Sequence, residues 1–244
     1  MMGCMSPIMW NLFCKLSERG CRKNYLDDYR YISGIIAFME EIEGLIQQVS
    51  KVKDGFKPIQ EEAENILAQY PTHDSLQLAH RLYASEVHQA RMLATLIFGK
   101  LAVLSPEAFS FLKEKVSRDD DWRVQEMLAM AFDTYCKAVG YEKSLPTIKE
   151  WLDDQNYNVR RAVSEGLRIW THRDYFKQHP DVAIQLLGSL KDDDHEYVRK
   201  SAGNALRDVS RFHKDLVQAE LETWDTSNKK IAHTFNLASK FLKK

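Results

Sequence analysis

Trp122 stands four residues ahead of Glu126, a spacing that puts an indole and a carboxylate on one face of a helix. An indole exposed there could stack on a planar ligand beside a fixed negative charge. Trp170 also sits at a helix end among charged residues and reads as a second stacking side chain, whereas Trp151, between Ile148 and Leu152, reads as core. Glu165 is flanked by Arg161 and Arg168 at i−4 and i+3, a pattern of local ion pairs worth ~0.2–0.5 kcal/mol each. Arg160, Arg161 and Arg168 are matched one unit later by Arg199, Lys200 and Arg207. Stacked side by side, these cations would make a basic strip suited to a phosphate backbone. The alternative is that these arginines pair with aspartates of the neighbouring turns. No Walker loop, GxGxxG, GxSxG or HExxH is present, and the eight histidines lack metal-ligand spacing, so neither a cofactor nor a metal is expected.

The elements that must hold these residues show themselves as repeats. DDDWRVQEMLAMAF (119–132), DQNYNVRRAVSEGL (154–167) and DDHEYVRKSAGNAL (193–206) superpose with Val124, Val159 and Val198 in register. Small residues then align (Ala129, Ser164, Gly203), followed by large ones (Phe132, Leu167, Leu206), and Met92–Ala94 is a fainter upstream copy. The offsets of 35 and 39 residues, with one acidic turn and two helices per unit, predict HEAT-like antiparallel helix pairs. The expected fold is all-α, a right-handed α-solenoid, against the alternative of a bundle without repeat symmetry. The acidic runs Asp119–Asp121, Asp153–Asp154 and Asp192–Asp194 are expected to cap helix N-termini.

Composition agrees. Gly (10) and Pro (6) are too scarce for collagen or most all-β designs, and 34 basic against 35 acidic residues exclude a globally basic nucleic-acid binder. Four cysteines without a CxxC pair support neither a disulfide scaffold nor a zinc ribbon and fit a reducing, cytoplasmic setting. The apolar run Ile32–Met39 is too short to span a bilayer. Residues 1–38, with Met1, Met2, Met5, Met9 and three of the cysteines, differ from the rest. They read either as an appended, disordered segment or as a genuine helix over Tyr25–Ala37. Residues 39–244 read as one helical-repeat domain.

VRRAVSEGLRIW (159–170) followed by LKDDDHEYVRKSAGNALRDVSR (190–211), with DWRVQE (121–126) one repeat earlier, resembles the bacterial DNA alkylation repair family. These are HEAT-like alkylpurine DNA glycosylases of the AlkC and AlkD types, and the pattern is nearest the AlkC type. The resemblance covers roughly residues 85–225. It implies binding of double-stranded DNA on a concave basic face and excision of cationic bases such as 3-methyladenine or 7-methylguanine. By this resemblance Trp122 and Glu126 match the first motif, Glu165 the second, and Asn204 and Asp208 the last. Glu126, Glu165 and Asp208 become candidate catalytic acids, and Trp122 and Trp170 candidate lesion-stacking residues. Arg160, Arg161, Arg168, Arg199, Lys200, Asn204 and Arg207 become candidate DNA contacts. Gln125 stands where the pattern has Arg, LRIWTHRDYF (167–176) departs from the continuation after SEG, and Arg207 replaces an Asn. A different function class remains open: a non-catalytic HEAT scaffold that binds DNA or an acidic protein partner.

Overall fold

The computed structural model describes residues 25–242, and among them there is no strand. The first helix, α1 (Tyr25–Ser50), runs through Met39 without a break. Cys4, Cys14, Cys21 and the first four methionines lie outside the described residues. Two units are distinguished, Met1–Leu45 and Ile46–Lys244, and the boundary falls within α1.

The second unit is the helical solenoid that the repeats predict. It comprises α2 (Lys57–Gln69), α3 (Thr72–Tyr83), α4 (His88–Leu101), α5 (Pro106–Glu114), α6 (Trp122–Val139), α7 (Leu145–Leu152) and α8 (Tyr157–Trp170). The short α9 (Asp174–Gln178), then α10 (Pro180–Gly188), α11 (Glu196–Val209), α12 (Lys214–Glu222) and α13 (Lys229–Ala238) complete it. Helices α4, α6, α8, α11 and α13 pack successively on one another as one continuous layer, termed the inner helices. The shorter α5, α7, α10 and α12 form the second members of the pairs. Proline in the first turn starts α2, α5, α7 and α10, where its missing N–H and fixed φ cost nothing.

The register read from the sequence holds. Val124, Val159 and Val198 are fully buried, as are Phe132, Leu167 and Leu206. The small positions allow close helix approach: Ser164 and Ser201 hydrogen-bond at 2.7 Å between α8 and α11, and a Cβ on Gly203 would lie 2.8 Å from the Leu237 Cβ.

The acidic turns do something different from what their composition suggests. Only Asp121 caps a helix, accepting from the Arg123 N–H. Asn156 caps α8, and α11 begins at His195 with no side-chain cap. Asp119, Asp154 and Asp193 instead accept the backbone N–H two residues on, at 2.8–2.9 Å, and so fold each turn back on itself. The arginine at the position after each buried valine, or its equivalent, fastens these turns. Arg91 donates to the Ser85 and Glu86 carbonyls behind it and forks onto Asp119 ahead. Arg160 repeats this, donating to the Asp154 and Gln155 carbonyls and forking onto Asp193 at 2.6 and 2.8 Å. Arg199 donates to the Asp193 and Asp194 carbonyls, but the next turn carries Thr226 at the corresponding position, and Arg199 Nε has no partner. Gln125, where the pattern has Arg, is the neutral version: its Nε2 donates to the Val116 and Asp119 carbonyls.

Candidate nucleic-acid interface

One residue beyond each staple, the helix turns its next side chain out of the turn. That position is Glu126 on α6, Arg161 on α8 and Lys200 on α11. Arg161 donates to Glu126 at 2.5 Å across adjacent helices and lies 3.7 Å from Glu165 on its own helix. Glu165 meets Arg168 at 3.9 Å, and Arg168 crosses to Asp208 on α11 at 2.6 Å. Asp208 also accepts from Arg207, which donates to the Asn204 side-chain oxygen at 3.0 Å. The structure thus gathers the three candidate acids, three of the candidate arginines and Asn204 into one chain of contacts over three inner helices. Lys200 stands apart, paired with Glu196 at 2.6 Å.

This arrangement corrects two expectations. Arg160 and Arg199 do not join the face as a ladder, because their guanidinium groups are committed to turn carbonyls and, for Arg160, to Asp193. Of the two readings of the arginines, pairing with neighbouring turns describes Arg160. Nor is the remaining strip simply basic: Arg161, Arg168 and Arg207 each meet a carboxylate within it.

Trp170 is a third correction. It is fully buried, stacked on Phe176 and tilted against Phe132 and Tyr141, and it lies over Gly166, where a Cβ would come within 2.5 Å of the indole. It has no free face for a base. The helical period explains this: eleven residues after Val159, three full turns, the chain returns to the buried stripe. Trp122, two residues before Val124, points the other way and is 63% exposed. The Arg123 guanidinium lies 5.5 Å from its ring centroid. At the same helix start Arg123 holds the Asp121 carboxyl down at about 2 through side-chain and backbone hydrogen bonds. Burial, reinforced by the Arg123 charge, lowers the nearby His88.

Trp122 borders a groove of about 610 Å³ that also takes in Gln125, Arg118, Arg161, Tyr157 and Tyr197. Sequence reasoning did not single out the two tyrosines. The available signal was register: Tyr157 occupies the Trp122 position of the next repeat. Among the described residues no group of His, Cys, Asp or Glu could hold a metal ion, and no helix is long and apolar enough to cross a membrane.

Stacked helix pairs with turn-stapling arginines and an inner face of alternating charge define a HEAT-like solenoid protein. The family model described as DNA alkylation repair enzyme matches residues 50–238, and the chain belongs to that family. Its fold is similar to AlkD2 from Streptococcus mutans, with 45% identity and a TM-score of 0.81, covering 84% of this chain and 98% of that one. A second solved structure, smu.31 from Streptococcus mutans UA159, has 43% identity and a TM-score of 0.79, with the same coverage. Protein YhaZ of Bacillus subtilis (strain 168) is 33% identical over 87 residues, which are 34% of this chain and only 24% of YhaZ.

Proposed function

We propose that this protein binds alkylated duplex DNA across the inner-helix face, in the cytoplasm, and hydrolyses the glycosidic bond of cationic N-alkylated purines such as 3-methyladenine and 7-methylguanine. The observation that carries this reading is the exposed Trp122 indole one turn from a carboxylate, Glu126, that Arg161 fixes in place. N-alkylation makes the purine a positively charged leaving group, so little acid catalysis of its departure is required. The indole offers a cation–π surface to that base. A carboxylate on the same face stabilises the oxocarbenium-like sugar and orients water. Glu165 and Asp208 extend the acidic side of the face, with Arg161, Arg168, Arg207, Lys200 and Asn204 as phosphate and sugar contacts.

The test is incubation with methylated duplex DNA, scoring released 3-methyladenine and 7-methylguanine. Glu126→Gln is expected to lose release while retaining duplex affinity. Release undiminished in Glu126→Gln would remove this carboxylate from the chemistry.

A second reading is DNA binding without excision, or capture of an acidic protein partner by the same face. Two observations favour it: the arginines of the face are already matched by carboxylates, and burial of Trp170 leaves Trp122 without a second lesion-stacking tryptophan. It predicts no base release from any substrate. Duplex affinity that falls steeply between low and moderate salt would mark phosphate contacts, and none even at low salt would favour the protein partner.

A further inference from the structure

Three aromatic side chains from three successive repeats line the groove at the starts of α6, α8 and α11: Trp122, Tyr157 and Tyr197. Each ring is backed by its own chain. Arg123 lies over Trp122, the Lys200 ammonium is 5.8 Å from the Tyr197 centroid, and His195 stacks on Tyr157 at 3.5 Å and 8°. Backing of this kind fixes a ring's orientation without filling the space before it, and Trp122 and Tyr197 remain 63% and 60% exposed.

The walls between the rings are polar and mostly committed. Asn156 and Asn158 donate to Ser117, and Asp119 is neutralised by Arg91. Of the charged and amide side chains, Arg118, Asp120 and Gln125 are not fully committed, Asp120 being an exposed carboxylate. The Arg118 side chain is exposed and has no hydrogen-bond or ion-pair partner among the described residues. Gln125, whose Nε2 is fixed by two carbonyls, is left with a buried Oε1 that has no donor. An unpaired acceptor in a groove wall marks a place for a donor from outside the chain.

We infer that this groove is a stacking platform for unpaired nucleotides, so that the DNA recognised carries a locally strand-separated segment. This rests on the reading that DNA lies on the inner-helix face. Packed helices stand ~8–10 Å apart, whereas stacked bases are only ~3.4 Å apart along a strand. Successive rings therefore cannot serve neighbouring bases of an intact duplex, whose faces are covered in any case. They suit bases that have left the stack, each lying on its own ring, with a cation such as Arg118 for the backbone.

The experiment uses the full chain and three undamaged, dye-labelled DNA probes of one sequence: a paired duplex, the duplex with three unpaired central nucleotides, and the single strand. Fluorescence anisotropy is expected to show the looped probe bound at least tenfold more tightly than the paired one. Substituting Tyr157→Leu and Tyr197→Leu together should bring that ratio close to one, at about tenfold per ring. The Tyr→Phe pair, which keeps both rings, should retain it and controls for folding. Equal affinity of the wild type for looped and paired probes, or a preference that survives the leucine pair, overturns the inference. Salt-dependent binding of the paired duplex without loop preference leaves the DNA reading standing and removes only the platform; binding of none of the probes removes both.

Discussion

Arg160→Ala separates a scaffold role from a DNA-contact role at a single side chain. The Arg160 guanidinium makes four hydrogen bonds, two to Asp193 at 2.6 and 2.8 Å and two to the Asp154 and Gln155 carbonyls at 2.7 and 3.1 Å. The two side chains are only 15% and 6% exposed. Truncation leaves the Asp193 carboxylate largely out of water, with the His195 N–H as its remaining hydrogen-bond donor. Removing one partner of such a pair costs ~3–5 kcal/mol. At ~2–4 °C per kcal/mol for a domain of this size, the melting temperature should fall by roughly 6–12 °C even at the lower cost. Amide exchange should accelerate first in the turns around residues 154–156 and 193–195. Asp193→Asn should produce a similar loss, and the double mutant should show coupling of ~0.5–3 kcal/mol. Duplex affinity per folded molecule should stay at the wild-type value. An unchanged melting temperature together with a tenfold weaker duplex complex would refute this assignment and restore Arg160 to the DNA face.

The two tryptophans should part company: Trp170→Ala is expected to cost ~3–5 kcal/mol in urea unfolding, and Trp122→Ala no more than ~0.5 kcal/mol. A reversal of that order would contradict their placement. For Asp121, a folded-state value of about 2 against 3.8 means stability that is present above pH 3.8 and lost as pH falls through 2. Asp121→Asn keeps the cap but not the charge, so wild type should exceed it in stability at pH 7, and the difference should shrink below pH 3.8 and be mostly gone as pH falls through 2 in urea midpoints taken across that range. Gly99→Ala would place a Cβ 2.6 Å from the Ala131 Cα, where α4 and α6 touch. Overpacking of ~1–3 kcal/mol should outweigh the gain of ~1 kcal/mol in helix propensity, and a raised denaturation midpoint would show that the helices can separate freely.

The repeat register was legible because a buried valine, a small residue and a large apolar residue recur at fixed offsets, and burial follows that period. The family motifs also led to Glu126, Glu165, Asp208 and Asn204, and the register of charges to Arg161 and Arg168, all of which the fold joins. Composition could not separate Arg160 from Arg161. Adjacent residues differ by ~100° around a helix, which sends one back into its turn and the other across to Glu126. Charged neighbours made Trp170 look exposed, when its distance from Val159 was the better guide. The turn aspartates looked like caps because an Asx turn and an N-cap use the same residue type, and only backbone geometry tells them apart.

The absence of an aspartate ahead of Arg199 has a consequence for how the molecule comes apart. Upstream, Arg91 and Arg160 each tie a repeat to its successor through a largely buried fork. The step from α6 to α8, where Gln125 replaces the arginine, has no fork but holds Asn156 and Asn158 on Ser117. The step from α11 to α13 lacks a fork too. In its place are the solvent-exposed Lys230–Asp194 pair and the Thr234 hydroxyl on the Lys191 carbonyl. In a linear array whose units hold only their neighbours, the weakest junction sets where opening begins. The C-terminal pair, α12 with α13, is therefore the first to peel away. Its departure strips the apolar cover from α11, the helix that carries Asn204, Arg207 and Asp208, so the face loses order from that end inward while Trp122 and Glu126, on α6 farther from that end, stay seated.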